Sequence, residues 1–201
     1  GKVRGMGDLP SLPKGTTLHS FECLDSTNSA ALRLIASDDA GEGTVVVAER
    51  QTAGRGRRDA VWESPTGNLY LTIVTKVPNQ HIAGQLAYVA SLAVYDVAIA
   101  HAGTSAAISC KWPNDLLLHG KKLAGILIEA LNEFSVVGIG LNLSTTPSAV
   151  ADKAISLADI DLLVDRSSIL SDLIHSFDHW VSSWRTNGFS VIRDGWLAVA
   201  H

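Results

Sequence analysis

Between residues 106 and 143 the chain places three strand-like runs, Ala106–Trp112, Leu123–Ala130 and Phe134–Leu143, almost end to end. Short turns at His119-Gly120 and Asn132-Glu133 fall between them. Strands so close in sequence have no space for a crossover helix and must pair as antiparallel hairpins or a meander. Upstream, Thr16–Cys23 reads as a first strand. Asp25-Ser26-Thr27 then offers N-caps for a helix over Asn28–Ser37 with Leu32, Ile35 and Ala36 on its apolar face. Gly41 and Gly43 break the chain before Thr44-Val45-Val46-Val47-Ala48, a β-branched run suited to a strand buried on both faces.

Asn68–Lys76 alternates as a strand, with Leu69, Leu71, Ile73 and Thr75 on one face. Ile82–Ala100 is alanine-rich and long enough for a helix. Beyond Pro147 the spacing of Ile169, Leu173, Ile174, Phe177 and Trp180 predicts a helix over Ser168–Trp184, closed by Gly188 before a last short helix. Strands gathered in the middle, with helices before, between and after them, predict an α+β fold: a mixed, largely antiparallel sheet flanked by helices. Residues 1–15 read as a flexible lead-in and 16–201 as one domain.

A chain of 201 residues with 46% hydrophobic side chains can bury a substantial core. Its net charge of -4 argues against broad nucleic-acid binding, which draws affinity from many phosphate contacts. No apolar run reaches the roughly 18 to 20 residues that span a bilayer; the longest, Tyr88–Ala100, contains Asp96. Gly1–Lys14 lacks the basic start and apolar centre of a secretory signal, so a cytoplasmic protein is expected. Cys23 and Cys110 have no Cys-x-x-Cys spacing and read as reduced core thiols.

Four polar clusters interrupt the apolar elements, each at a strand or helix end, where loops on a rigid scaffold can converge. Ser26-Thr27-Asn28 can donate and accept neutral hydrogen bonds, and helix capping alone also accounts for them. In Gln51-Thr52-Ala53-Gly54-Arg55-Gly56-Arg57-Arg58, the glycines let backbone N–H groups approach an anion and the arginines add charge-assisted bonds. Lys111-Trp112-Pro113-Asn114-Asp115 breaks a strand at proline and brings out a lysine, an asparagine and an aspartate together. Lys121-Lys122-Leu123-Ala124-Gly125 is either a hairpin turn or a fourth site segment. Gly138 and Gly140 lie on one face of an apolar strand, which predicts something pressed against that backbone, a ligand or a packed helix. His175 and His179 have the i, i+4 spacing of a helical metal pair but no evident third ligand.

In this order the clusters resemble biotin-protein ligases. The likeness rests on Asp25-Ser26-Thr27-Asn28, Gln51–Arg58 with Trp62 and Ser64-Pro65, Lys111–Asp115, Lys122–Glu129 and Gly138–Asn142, and it covers about residues 16–196. It implies the class II aminoacyl-tRNA synthetase-like fold of the biotin–lipoate ligase catalytic domain. It also implies a two-step reaction with biotin, ATP and Mg2+, ending on a lysine of a biotin carboxyl carrier domain, in a monomer or a homodimer.

By that resemblance Lys122, Arg57 and Lys111 are catalytic. Ser26, Thr27, Asn28, Gln51, Gly54, Arg55, Gly56, Arg57, Lys122 and Gly125 hold biotin. Arg55, Arg57, Arg58, Trp62, Lys111, Asn114, Lys122 and Asn142 hold ATP and the adenylate, with Trp62 covering the adenine and Asp115 helping to place the metal. The arginine loop is expected to fold over the adenylate as a lid. The chain departs from the family at Asp59-Ala60, where Gly-Arg is common, and ends at His201, where bacterial relatives continue into a small β-barrel. About fifteen residues precede the first strand, too few for the DNA-binding helix-turn-helix of many relatives. Lipoate-protein ligase chemistry is the second reading, and a non-catalytic phosphate- or ligand-binding module the third.

Overall fold

The structure, a computed structural model, describes residues 11–147 and 150–201, with the side chain of Asp59 outside the description. Its strands are β1 (Thr17–Leu24), β2 (Thr44–Gln51), β3 (Leu69–Lys76), β4 (Ile108–Lys111), β5 (Asp115–Leu118), β6 (Lys121–Leu131) and β7 (Phe134–Leu141). The helices are α1 (Thr27–Ala36), α2 (Leu86–Ala102), α3 (Arg166–Asn187) and α4 (Phe189–Ala198). One sheet holds all seven strands in the order β1-β2-β3-β7-β6-β5-β4. The β1–β2 pair, joined through α1, is parallel; every other neighbouring pair is antiparallel. The expected mixed, largely antiparallel sheet with flanking helices is therefore the observed one.

Three local differences have physical causes. The segment Asp115-Leu-Leu-Leu is a strand that the pattern did not predict, because four residues without a β-branched side chain carry little strand signal. It splits the expected meander into β4, β5 and β6. The long second helix begins with a 3-10 segment, Gln80–Gln85, capped by the Asn79 carboxamide accepting from the His81 N–H. Of the expected lead-in, residues 1–10 lie outside the described residues. Leu12 packs against the core, and His175 Nε2 donates to the Ser11 carbonyl at 2.7 Å.

The sheet's two faces are covered unequally. On one face Val45, Val47, Leu69, Leu71 and Ile73 join a large core with α2, α3 and α4. Helix α2 with its 3-10 lead spans Gln80–Ala102 and is apolar enough, at a mean hydropathy of 1.5, to match a membrane helix by composition. Here it is the core helix, with Leu86, Val89, Ala90 and Ala93 fully buried. On the other face α1 packs Ala30, Ala31 and Ile35 against Val46, Val74 and Val136. The valine run of β2 thus feeds both clusters, as expected of a strand buried on both sides. Both cysteines are free thiols. Burial, assisted by Asp96, pushes the Cys110 thiol up to about 12.

Candidate active site

The site's floor is set by strand register on the α1 side of the sheet. Gly140 lies opposite Gly125 of β6 and Tyr70 of β3, while Gly138 lies opposite Leu127 and Thr72. Alternation along β7 turns both of its glycines to the same face. A Cβ on Gly140 would sit 2.6 Å from Trp62 Nε1, and one on Gly125 would sit 3.0 Å from the same indole and 3.2 Å from Lys122 Cε. At Gly138 a Cβ would collide with Asn28 Oδ1. The backbone approach expected from the glycine spacing is present, supplied by an indole at Gly140 and by a helix side chain at Gly138.

The wall is the start of α1. Ser26 is its N-cap, with Oγ accepting from Ser29 N–H at 3.4 Å, and Ser26, Thr27 and Asn28 are all buried. Gln51 at the end of β2 accepts from Thr27 N–H at 2.8 Å and donates to Ser64 Oγ at 2.8 Å. The Asn28 amide donates to Glu129 Oε2 at 2.9 Å and to the Leu127 carbonyl at 3.2 Å. Its Oδ1 lies 2.6 Å from the fully buried Thr72 hydroxyl, which is also 2.8 Å from Thr27 Oγ1. With one proton, Thr72 donates to one of the two and can accept from Thr27. Behind this wall Arg33 makes two 2.8 Å bonds to Asp25, and together with the Ser26 N–H it holds that carboxyl down to about 2.

The Gly/Arg loop closes one side as a small hairpin of its own. Bridges join Gln51 to Ser64 and Arg55 to Val61, Trp62 N–H donates to Gly54 O at 2.9 Å, and Gly56 N–H donates to Ala60 O at 2.7 Å. Gly54 is packed so tightly on the Trp62 carbonyl and Ser64 Oγ that a Cβ there would collide with both. Arg55 makes a two-point pair with Glu129, at 2.8 and 2.9 Å, and also reaches Ser29 Oγ. Arg57 donates only to a neutral acceptor among the described contacts, Asn114 Oδ1, at 3.2 Å. Arg58 sits at φ 55, the left-handed region where a non-glycine residue is strained.

Opposite the loop, Lys122 Nζ lies 2.8 Å from Asp115 Oδ1 and 5.2 Å from the centroid of the Trp62 ring. Asn114 donates to the Ile126 carbonyl and so ties the segment before β5 to β6. These parts enclose a cleft of about 460 Å³, within the usual range for a small-molecule site. Of the residues singled out in the sequence, Ser26, Thr27, Asn28, Gln51, Arg55, Gly56, Arg57, Arg58, Trp62, Asn114, Asp115, Lys122 and Gly125 line it.

Three do not. Gly54 is buried within the loop, against the Trp62 carbonyl and Ser64 Oγ. Lys111 is exposed at the end of β4 and outside the lining, although it stands directly across the β4–β5 ladder from Asp115, which lines the cleft. Asn142 is buried, its amide donating to the carbonyls of Ile155 at 3.2 Å and Lys122 at 3.4 Å, so it braces the Lys122 backbone. The sequence assigned no role to Thr72, Ser64 or Glu129, which fix the wall and loop; the available signals were Ser64 standing in the Ser64-Pro65 pair and Glu129 inside the Lys122–Glu129 motif. Among the described residues no group of three His, Cys, Asp or Glu side chains could hold a metal, and His179 instead packs edge-on against Trp180.

The biotin/lipoate A/B protein ligase family model matches residues 20–144. The chain is 38% identical over 188 residues to the biotin–[acetyl-CoA-carboxylase] ligase of Paracoccus denitrificans, covering 88% of this chain and 78% of that protein. It is 39% identical over 165 residues to the enzyme of the same name from Mycobacterium tuberculosis, covering 80% of this chain but 62% of that one. Among solved structures, biotin protein ligase from Aquifex aeolicus in complex with biotin and ATP is similar with a TM-score of 0.80 and 28% identity, over 91% of this chain and 78% of the other. With its floor, wall and loop all inside or beside the matched segment, the chain belongs to the biotin/lipoate A/B protein ligase family.

Proposed function

We infer that this chain activates biotin with ATP and transfers it to a lysine of the biotin carrier of a carboxylase. One observation carries the reading: a neutral hydrogen-bonding wall and a set of cations open onto the same glycine-floored cleft. A ureido ring needs donors and acceptors without a charge to desolvate, which the Ser26–Asn28 and Gln51 groups supply. This favours biotin over lipoate, whose acyl tail is apolar.

In the first step a biotin carboxylate oxygen forms a bond to the α-phosphorus of ATP, and the bond from that phosphorus to the departing pyrophosphate breaks. Carboxylate and polyphosphate repel each other, and Lys122, with Arg57 and Arg58, offsets that repulsion as they meet. Arg55 is already matched by Glu129, so its main part is to hold the loop. In the second step the acceptor amine attacks the acyl carbon, AMP leaves with the bonding electrons, and the amine gives up a proton. Loop closure over the adenylate keeps water from that anhydride. Trp62, lying on the Gly140 floor, offers the aromatic face for the adenine.

Magnesium enters with ATP as part of the substrate and neutralises phosphate charge. Such an ion takes one or two protein carboxylates beside phosphates and water, and Asp115 is the acidic side chain of the described lining. The use of ATP and two unpaired thiols support a cytoplasmic setting. The test is pyrophosphate exchange that requires biotin, followed by labelling of a carrier domain with biotin or lipoate. Exchange and labelling with biotin are expected; labelling with lipoate alone overturns the assignment.

A further inference from the structure

Beyond the small-molecule site, the cleft has an apolar rim that the adenylation chemistry does not use. Trp112 is 68% exposed and Val61 is 79% exposed, and both border the cleft. Among the described residues the other strongly exposed large apolar side chains, Leu163 and Leu197, lie in the connection before α3 and in α4, away from the lining. A tryptophan left in water is an unfavourable surface, and tryptophan is the residue type most enriched among dominant contacts of protein interfaces. Exposed cations flank it: Lys111 is its chain neighbour, and Arg57 and Arg58 come from the loop on which Val61 sits.

We propose that Trp112 and Val61 form the docking rim for the acceptor carrier domain, an acidic protein surface around the modified lysine. This rests on the ligase reading above. The reaction itself fixes where the partner must stand, because a lysine side chain reaches only a few ångströms from its own fold and the acyl carbon lies inside the cleft. The carrier must therefore press on the cleft's rim, and the large exposed apolar side chains of the described rim are these two residues. The exposed cations around them match an acidic partner and would speed its approach.

Three rates of the full chain, measured in the parent and in Trp112→Ala, Trp112→Phe and Val61→Ser, test the surface. They are biotin-dependent pyrophosphate exchange, transfer to the small nucleophile hydroxylamine, and transfer to a purified carrier domain. Trp112→Ala is expected to lower kcat/KM for the carrier about tenfold or more while leaving the other two rates within about twofold of the parent. Trp112→Phe should recover most of the loss, and Val61→Ser should show a smaller loss of the same kind. Carrier transfer indifferent to Trp112→Ala and Val61→Ser overturns the surface. So does an equal fall in all three rates, or a change in oligomeric state alone, which would give the rim to a second copy. A parent without biotin-dependent exchange would instead overturn the ligase reading, and the docking surface with it.

Discussion

On one face of β3, Leu69, Leu71 and Ile73 meet the large core shared with α2 and α3, where shape and apolar area decide stability. On the other face, Tyr70 donates to the Pro65 carbonyl at 2.7 Å and Thr72 bonds within the Asn28 network, next to the glycine floor. Burial pushes the Tyr70 hydroxyl up to about 12, so it remains a donor throughout the working range. One strand thus serves two environments separated by its own thickness. The first fixes the sheet, and the second spends packing on a space for ligand. A protein built this way should let stability and binding be perturbed separately.

The largest separation should come from Leu71→Ala, which removes a fully buried side chain from the core. A loss of about 2 to 5 kcal/mol in unfolding free energy is expected by denaturant titration, while biotin affinity of the remaining folded protein stays at the parent value. Lys122→Ala should do the reverse. Its partner Asp115 is partly exposed, so melting should shift little, whereas adenylation should fall about 100- to 1000-fold. Full adenylation in that variant would remove Lys122 from the chemistry.

Thr72→Val keeps the shape of the wall but leaves Asn28 Oδ1 without that donor. A cost of about 1 to 3 kcal/mol is expected, appearing mainly as a weaker biotin Kd with ATP affinity nearly unchanged. Equal losses for both ligands would mean that the network is scaffold rather than wall. The smallest effect concerns the exposed Arg33–Asp25 pair. The Asp25 carboxyl is lowered from 3.8 to about 2 in the folded chain, chiefly by Arg33. Its contribution is therefore fully present above about pH 4 and lost as pH falls through 2. Unfolding midpoints of Arg33→Ala should change less between those pH values than those of the parent.

The same contrast explains what was legible in the sequence. Apolar periodicity located β1, α1, β2, β3 and the last helices, because the core face obeys alternation and helical spacing. The site was legible where residue types are unusual for their place, as with Gly138, Gly140 and the arginine loop. Strand β5 was not, since Leu116-Leu117-Leu118 becomes a strand only by pairing with β4 and β6. Thr72 was hidden because threonine is also an ordinary strand former. Lys111 and Asn142 stood in the quoted motifs, but linear position could not tell that one is exposed outside the lining and the other braces the backbone of Lys122.

Calorimetric titration with biotin, then with ATP added to the complex, tests the central claim that the α1 face of the sheet holds both substrates in one cleft. The account predicts saturable binding of biotin in a 1:1 ratio, then a second heat with release of pyrophosphate. A silent titration with biotin, or an ATP response that does not depend on it, would contradict the account.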